Sequence, residues 1–526
     1  MVSNSRMHLF KLSVLVLLAI GLLETVYIPN HFGTDQSIFT IGARVIRDGG
    51  ILYRDYWDLK QPGIFFFFLL AGTTFGFSEP GILAFEAIYF LAFSIVLIFT
   101  LRRYFSTPPI AACVPLFIVA FYYGFANPTE HLQVEGIVGF PLFLSMYFAL
   151  KAEEHPEHPS SLFYLFLSGV FGGVVLVFKL VFLPIPVLIW AATVFSLCKN
   201  TRHAKISLAT RSVLSIGLGI SLPLVATLLF FANRGGLQDL LWATFEYPRR
   251  AVVENWHRRF DILIRGYQRF FRSCSPSLFL AALALSSLGS GWLNPLSRNL
   301  LLWVIGGLAV IHIQVLSWWE YHYILLFVPI GILATRGVDA LWIIARKVKA
   351  NIPGRRIAAT LALLVVLLYS PVIFSMALRS LNAVRQGIPR TLERFRKLQR
   401  SLHDENQRYD EIFEDVQFLN QASSLPGPIY VIGTPVYYLV SGRKPAIPLD
   451  GWTVRFLLSE QRAQLLDQLR SARPNYICVS HTHADELKKG FPEVGVLLAE
   501  HYRELRRSRS GDVWYVISET RTVAAQ

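Results

Sequence analysis

Several charged side chains that could carry out chemistry lie within residues 34–63, TDQSIFTIGARVIRDGGILYRDYWDLKQPG, between two apolar runs. The candidates are Asp35, Asp55, Asp58 and Lys60. Clustered carboxylates could bind a divalent cation. Thr34 or Asp35 could instead cap a helix, because the segment 35–48 has the spacing of an amphipathic interfacial helix. A cap accounts for one acid only, so the other three side chains need another explanation.

A second group of ionisable residues lies in NPTEHLQVEG, residues 127–136. Glu130 and His131 belong to its polar part, and Glu135 stands at the edge of the apolar run that follows. An ionisable group at that depth is costly and is usually functional. A lone histidine at an interface, by contrast, is more often hydrogen-bonded and structural. Glu135 is therefore a stronger candidate than His131.

Arginines alternate with aromatic residues in FEYPRRAVVENWHRRFDILIRGYQRFFR, residues 245–272. Arg258 and Arg259 lie at the centre of this segment. Such a pattern suits anionic lipid headgroups, a pyrophosphate or a phosphorylated acceptor. It also suits an amphipathic helix on the bilayer surface, and the two interpretations are compatible.

Two histidine-containing segments complete the set of candidates. SWWEYHYILLFVP, residues 317–329, contains His322 and Tyr323 within what could be an aromatic belt. SHTHADE, residues 480–486, has histidines two residues apart but no other matched ligands, so we expect a loop after a strand and no metal site.

The composition places these residues in a polytopic membrane protein. Of 526 residues, 53% are hydrophobic and 16% are charged, and the mean hydropathy is +0.44. A soluble chain of this size would need a core too large for its polar surface to cover. The net charge of +15 is explained by basic cytoplasmic loops and anionic lipid, and no motif indicates nucleic acid binding.

About eleven apolar runs are long enough to cross a membrane. They cover residues 12–28, 81–101, 109–125, 135–150, 161–178, 180–198, 208–231, 276–293, 300–317, 322–340 and 357–377. We interpret the first as an uncleaved span, because no signal-peptidase pattern follows it. The run 64–77 is too short for a crossing, which predicts a re-entrant or interfacial helix.

The charge of the loops predicts the orientation. RRYF (102–105), KNTRHAKISLATR (199–211) and ARKVKANIPGRR (345–356) fall on one side of the membrane and are basic, so that side is cytoplasmic. This places the N-terminus in the cytoplasm and the C-terminal segment outside, in the periplasm of a bacterium. The loop 232–275, with eight arginines, would then be external.

Two domains are predicted: a transmembrane domain over residues 1–378, with external loops 29–62 and 232–275, and a soluble periplasmic α/β domain over residues 379–526. The second domain should contain strands in GPIYVIGTP, NYICVSHTH and DVWYVISE and a helix over 459–474. The fold class is thus a polytopic α-helical membrane protein with a small extracytoplasmic α/β domain.

A family resemblance rests on the first loop. An apolar first span, Asp35-Gln36 at the head of an interfacial helix, and G-x-x-Y-x-D-Y-W-D-x-K-Q-P-G before a hydrophobic helix resemble the GT-C glycosyltransferases. The similarity is to the protein O-mannosyltransferases and the lipid A aminoarabinose transferases. It is clearest over residues 1–150. Family members often have D-E in place of Asp35-Gln36 and K-P-P in place of Lys60-Gln61-Pro62.

The resemblance implies roles for the candidates. Asp35 would be the catalytic base or would orient the acceptor, and Glu130, with Glu135 as the alternative, would be the second carboxylate. Lys60 would hold the lipid phosphate. Asp55, Asp58, His131, His322, Tyr323, Arg258 and Arg259 are further candidates for substrate binding. The family position of Asp35 and Glu130 implies that they meet at the outer leaflet.

The implied function is an inner-membrane glycosyltransferase that moves a sugar from a polyprenyl-phosphate donor to a glycan, lipid or protein acceptor. No cofactor is expected, because cationic side chains can neutralise the lipid phosphate, although the carboxylates could bind a divalent metal. A transporter or flippase for a lipid-linked sugar and an envelope assembly factor are the alternatives.

Overall fold

The computed structural model describes residues 2–28, 31–156, 158, 160–200, 205–255, 260–287, 294–315, 318–347, 360, 364, 405–421 and 423–518. The chain divides into two compact units. The membrane unit comprises Met1–Pro29, Pro80–Leu228 and Arg258–Arg390. The α/β unit comprises Asn30–Glu79, Leu229–His257 and Thr391–Gln526. Each unit is described by itself below.

Apolar helices, most of them long, make up the membrane unit. They are α1 (Val2–Tyr27), α4 (Glu79–Leu101), α5 (Phe121–Phe125), α6 (Val134–Ile137), α7 (Gly139–Glu154), α8 (Ser160–Phe178), α9 (Pro184–Asn200), α10 (Lys205–Asn233), α13 (Phe260–Ser287), α14 (Pro295–Ile313) and α15 (Phe327–Lys347). Short 3₁₀ or π turns extend several of them, among them Pro108–Cys113, Leu116–Ala120 and Glu320–Leu326. Bilayers favour such helices because each satisfies its own backbone groups.

Within the described residues, nine helices are long and apolar enough to cross a membrane. They coincide with nine of the predicted spans, and the chain is a polytopic membrane protein. The predicted span 276–293 falls partly on α13, and 357–377 lies almost wholly outside the described residues.

Most of the described residues of the predicted external loop 232–275 are helical, as the amphipathic-helix interpretation of its arginine-rich part expects. The loop contains α11 (Leu237–Leu241), α12 (Tyr247–Asn255) and the first half of the 28-residue α13. The polar half of α13 is supported by pairs such as Arg265 with Asp261, one turn apart, at 3.2 Å. A hydropathy pattern misses such a helix because its first turns carry arginine.

Small residues let membrane helices approach closely. A Cβ atom on Gly337 in α15 would lie 2.0 Å from the carbonyl oxygen of Leu280 in α13. In the same way a Cβ on Gly219 in α10 would lie 2.1 Å from the carbonyl of Phe166 in α8. Membrane helices pack through small residues of this kind, because burial of apolar area gives no driving force in lipid.

The α/β unit contains a four-stranded sheet of β1 (Ile429–Ile432), β2 (Tyr476–Val479), β3 (Tyr502–Arg507) and β4 (Val513–Ile517) in the order β1-β2-β4-β3. β1 and β2 are parallel, and the other pairs are antiparallel. The helices after α15 are α16 (Glu405–Val416), α17 (Val436–Ser441), α18 (Ser459–Ala472), α19 (His481–Gly490) and α20 (Pro492–His501).

Three strands and helix α18 match the sequence predictions, but β3 was not predicted. Its sequence YRELRR buries only Tyr502 and lies at the edge of the sheet, where charges discourage pairing with another chain. The predicted loop at SHTHADE is also wrong, because α19 begins at His481. The Asp512 carboxylate accepts the His481 N–H at 2.9 Å there, which favours a helix start.

Segments from the first loop belong to the α/β unit together with the C-terminal sheet. They are α2 (Thr34–Arg47), the amphipathic helix predicted from sequence, and α3 (Pro62–Phe75). α3 has 14 residues, the short apolar helix expected at this place. Between them, the Trp57 N–H donates to the Pro448 carbonyl at 2.9 Å. The first loop therefore forms part of the same compact unit as the tail of the chain.

Candidate active site

Asp35 lies in the first turn of α2, where Gln36 supplies the cap. Gln36 Oε1 accepts the N–H of Gly33, the residue before the helix, at 2.9 Å. The Ser37 hydroxyl donates to the Gly33 carbonyl at 2.8 Å. Gln36 and Ser37 therefore bond the backbone of the residue before the helix, and the Asp35 carboxylate lies near Lys60.

The Asp35 carboxylate pairs with Lys60. Lys60 Nζ lies 3.4 Å from Asp35 Oδ1 and 5.4 Å from the centre of the Phe39 ring. The exposed fractions of the two charged side chains are 16% for Lys60 and 18% for Asp35. Both are thus shielded but reachable, which is the setting in which a carboxylate can accept a proton and an ammonium can hold an anion.

The loop that carries Lys60 has an unusual backbone conformation at Tyr53. Its φ angle is 75°, in the left-handed region that bulky residues rarely adopt. Two bonds hold it: the Tyr53 N–H donates to the Tyr56 carbonyl at 2.7 Å, and the Tyr53 hydroxyl donates to the Lys60 carbonyl at 2.9 Å. Strained backbone of this kind persists where its surroundings enforce it, and it is common at functional sites.

The other two acids of the loop bond to backbone. Asp55 Oδ2 accepts the Ile51 N–H at 2.7 Å and closes the turn. Asp58 is buried, and its Oδ1 accepts the N–H of Lys60 at 2.8 Å. Burial raises the pKa of the Asp58 carboxyl, and the charge of Asp35 adds to the rise while Lys60 opposes it. Asp55 and Asp58 therefore shape the segment that presents Lys60.

Glu130, in the membrane unit, forms a second charged cluster with Arg269. The two nitrogens Nη1 and Nη2 of Arg269 lie 2.7 and 2.8 Å from Glu130 Oε1 and Oε2, a bidentate pair. Arg269 also donates to Glu320 at 3.0 Å and to the Phe125 carbonyl at 2.8 Å. Arg269 was not among the predicted residues, although its spacing from Arg265 and Arg272 places all three on one face of a helix.

Glu135 lies deeper in the membrane unit and pairs with Lys179. Lys179 Nζ is 2.9 Å from Glu135 Oε1 and also hydrogen-bonds Gln314. His322 Nε2 lies 3.7 Å from the same carboxylate oxygen. The sequence predictions of Glu135 and His322 thus converge on one buried charge cluster, with Lys179 as its cation.

The remaining candidates have packing contacts. His131 is buried against the rings of Tyr27, Tyr122 and Tyr123, with ring centres 4.9 to 5.3 Å apart. Tyr323 is buried against α13, and its hydroxyl donates to the Leu263 carbonyl at 3.3 Å.

Some predictions are not addressed by these contacts. Arg258 and Arg259 lie outside the described residues. Asp35 and Glu130 belong to different units, so their meeting stays a prediction. Among the described residues, no three His, Cys, Asp or Glu side chains come together as a metal site requires.

Solved membrane-protein structures resemble this chain. ArnT from Cupriavidus metallidurans bound to undecaprenyl phosphate matches with a TM-score of 0.59 at 14% identity, over 96% of this chain and 98% of that one. Its apo state matches with a TM-score of 0.56 at 15% identity, over 95% and 97%. The archaeal oligosaccharyltransferase AglB from Archaeoglobus fulgidus, in complex with an inhibitory peptide and a dolichol-phosphate, gives a TM-score of 0.47 at 13% identity, over 96% and 74%.

No protein-family model matches the chain, and no curated protein matches it. At 14 to 15% identity the ArnT structures establish the fold, and they do so over nearly the full length of both chains. ArnT is a lipid A aminoarabinose transferase and a GT-C glycosyltransferase. The resemblance inferred from the first loop is confirmed: this chain has the membrane fold of the GT-C glycosyltransferases.

Proposed function

We propose that the protein transfers a sugar from a polyprenyl-phosphate donor to a hydroxyl of an extracytoplasmic glycan, lipid or protein. The observation that carries this proposal is the pair of Asp35, in the first turn of α2, with Lys60, just before the short apolar helix α3, 3.4 Å apart. One shielded acid and one shielded cation, at a membrane interface, are the two groups that such a transfer needs.

The reaction follows from these two groups. Asp35 accepts the proton of the acceptor hydroxyl, whose oxygen forms a bond to the anomeric carbon of the sugar. The bond from that carbon to the phosphate oxygen breaks, and its electron pair leaves with the lipid phosphate. Lys60 neutralises that leaving group. Attack from the face opposite the leaving group inverts the anomeric centre.

Glu130 and Arg269, in the membrane unit, are a second charged pair that could bind a phosphate. The planar guanidinium of Arg269 can bind phosphate with two parallel hydrogen bonds, as it does Glu130 at 2.7 and 2.8 Å. A phosphate that took over part of this binding would release Glu130 toward the acceptor. The ArnT structure bound to undecaprenyl phosphate supports a lipid carrier of this class.

The proposed location is the inner membrane of a bacterium, with the N-terminus in the cytoplasm and the α/β unit in the periplasm. Basic loops support this orientation. The proposed partners are the lipid-linked donor and the acceptor, with no nucleic acid and no required cofactor.

A transfer assay with purified protein tests the proposal. Radiolabelled undecaprenyl-phosphate-linked sugars are incubated with the protein, and transfer or hydrolysis of the sugar is measured. Asp35→Asn should abolish the reaction because asparagine cannot accept the proton. Asp55→Asn is the matched control, since its amide oxygen can still accept the Ile51 N–H, and it should retain activity. Full activity of Asp35→Asn would rule out the proposed base.

A flippase is the second candidate, and the buried pair of Glu135 with Lys179 favours it. Glu135 lies at the start of one span and Lys179 between two others, with His322 nearby, and ionisable pairs within a membrane domain are a mark of transport proteins. Proteoliposomes loaded with the labelled lipid distinguish the two: lipid that crosses the bilayer unchanged supports the flippase. An envelope assembly factor would show neither transfer nor crossing.

A further inference from the structure

A buried hydrogen bond joins the first loop to the C-terminal segment within the α/β unit. The Tyr56 hydroxyl donates to Asp450 Oδ2 at 2.7 Å, and the Trp452 N–H donates to Asp450 Oδ1 at 2.9 Å. The exposed fractions of Tyr56 and Asp450 are 1% and 3%. Each oxygen of the Asp450 carboxylate therefore accepts one hydrogen bond, one from the first loop and one from the C-terminal segment.

Asp450 is fixed against the sheet. A Cβ atom on its neighbour Gly451 would lie 2.0 Å from the carbonyl oxygen of Val431 in β1, so the backbone rests directly on that strand. The carbonyl of Asp450 accepts the Thr453 hydroxyl at 2.7 Å. The carboxylate is thus held by rigid structure and provides a fixed anchor for Tyr56.

Two hydrogen bonds, both made by Tyr53, link Tyr56 to Lys60. The Tyr56 carbonyl accepts the N–H of the strained Tyr53 at 2.7 Å, and the Tyr53 hydroxyl donates to the Lys60 carbonyl at 2.9 Å. On the other side, Trp57 pairs in parallel with Leu449, the residue before Asp450. The Tyr56 hydroxyl is thus anchored to Asp450, while its carbonyl is linked through Tyr53 to the backbone of Lys60.

The environment of Asp450 is unfavourable for a charge. Burial raises the pKa of Asp450 to about 7, and the negative charge of Asp58 adds to this, whereas bonds from Trp452 and Tyr56 oppose it. Tyr430 and Tyr438 are the other titratable groups that face it. An apolar residue at this position would cost the folded state less free energy than a buried carboxyl. Costly polar groups of this kind are expected where a conformation serves function.

We infer that Asp450 is a positioning residue that, through Tyr56, holds the loop 52–60 in the conformation that presents Lys60 to Asp35. The C-terminal segment thereby supplies part of the support for the donor site. The consequence for donor binding rests on the proposed function, while the holding of the loop does not.

Hydrogen–deuterium exchange of the full-length protein tests the holding of the loop directly. Tyr56→Phe keeps the ring and removes the hydroxyl, and we expect amides in residues 51–61 to exchange about tenfold faster, as loss of one buried hydrogen bond implies. Tyr437→Phe is the matched control. It removes a hydroxyl that donates to buried Asp512 at 2.9 Å in the same unit, and it should leave the loop unchanged.

The pH dependence of hydrogen exchange in the loop distinguishes a positioning role of Asp450 from general stabilisation of the fold. Burial raises the pKa of Asp450 to about 7 in the structure, where Tyr56 packs against it. Opening of the loop would expose the carboxyl and lower its pKa, so the closed loop should hold the proton more tightly. Protection of residues 51–61, corrected for intrinsic exchange, should fall as pH rises from about 5 to about 7. Asp450→Asn mimics the neutral form of Asp450, so protection of the loop should depend less steeply on pH in this variant. Titration of Asp58 should account for the pH dependence that remains.

Binding of undecaprenyl phosphate distinguishes this inference from the proposed function. Tyr56→Phe should weaken binding about tenfold in a folded protein, but in the Lys60→Ala background it should weaken binding little further, because Tyr56 acts through Lys60. Faster loop exchange with no binding even in the wild type would leave the positioning intact and contradict the proposed function. Unchanged exchange in Tyr56→Phe, or an unchanged pH slope in Asp450→Asn, would overturn the inference.

Discussion

At the scale of single residues, the account depends on the charge of Lys60. Lys60→Ala should weaken undecaprenyl phosphate binding about tenfold to a hundredfold, the range expected for a lost bond between charged groups. Melting temperature should change little, since the side chain is partly exposed. Lys444→Ala is the control, because that lysine is 82% exposed and pairs with Asp48 at 3.5 Å in the same unit. Equal affinity in wild type and Lys60→Ala would remove the phosphate role.

Asp450 should also influence the stability of the folded protein. Its pKa is raised from 3.8 to about 7 on folding, so the folded state holds the proton in this window and loses stability as pH rises through it. The melting temperature of Asp450→Asn relative to wild type should therefore increase from about pH 4 to about pH 7 and then stay constant. Measuring the difference between the two proteins cancels the other titrating groups. A difference that shrank over this range would contradict the assigned pKa.

The sequence identified some of these residues and missed others for physical reasons. Asp35 and Lys60 could be found because charge beside an apolar helix is conspicuous. Arg269 was missed because it is one of eight arginines in its segment, and only the fold shows which one meets Glu130. Asp450 could not be found, since its partner Tyr56 is 394 residues away.

At the scale of elements, the close packing of α13 against α15 requires a glycine at position 337. Gly337→Ala should destabilise the protein by about 1–3 kcal/mol, as overpacking does, because its Cβ would lie 2.0 Å from the Leu280 carbonyl. Gly217→Ala in α10 is the control: nothing lies within 4 Å of its Cβ, and alanine favours helix there. Thermal unfolding in detergent measures both. Equal stability of the two variants would mean that α13 and α15 do not touch at this point.

Helices and strands were predictable from the sequence where a single physical requirement determines them. The nine described spans follow from apolar length alone, since a bilayer tolerates few alternatives. The edge strand β3 was missed because it is rich in arginine and is ordered by contacts with the neighbouring strand.

At the scale of the whole molecule, the orientation in the membrane remains a prediction. Alkaline phosphatase fused after residue 518 should be active and a fluorescent protein fused there should be dark, because the basic loops place the C-terminus outside. The same reporters after Phe105 should give the reverse result. An inactive phosphatase at the C-terminus would place the α/β unit in the cytoplasm and remove its access to a periplasmic acceptor.

The fold of the whole chain was predictable from a short motif and hydropathy, and it persists at 14% identity to ArnT. The grouping of residues 30–79 and 229–257 with the C-terminal sheet was not predictable. It depends on contacts between distant segments, such as Arg250 with Glu460 at 2.7 Å, which no local pattern encodes.

A structure of the protein with bound undecaprenyl phosphate tests the central claim most directly. The account predicts the phosphate beside Lys60, with the carboxylates of Asp35 and Glu130 facing the space where an acceptor hydroxyl and the anomeric carbon would meet. A phosphate bound away from Lys60, or the two acids on opposite faces of the bilayer, would contradict it.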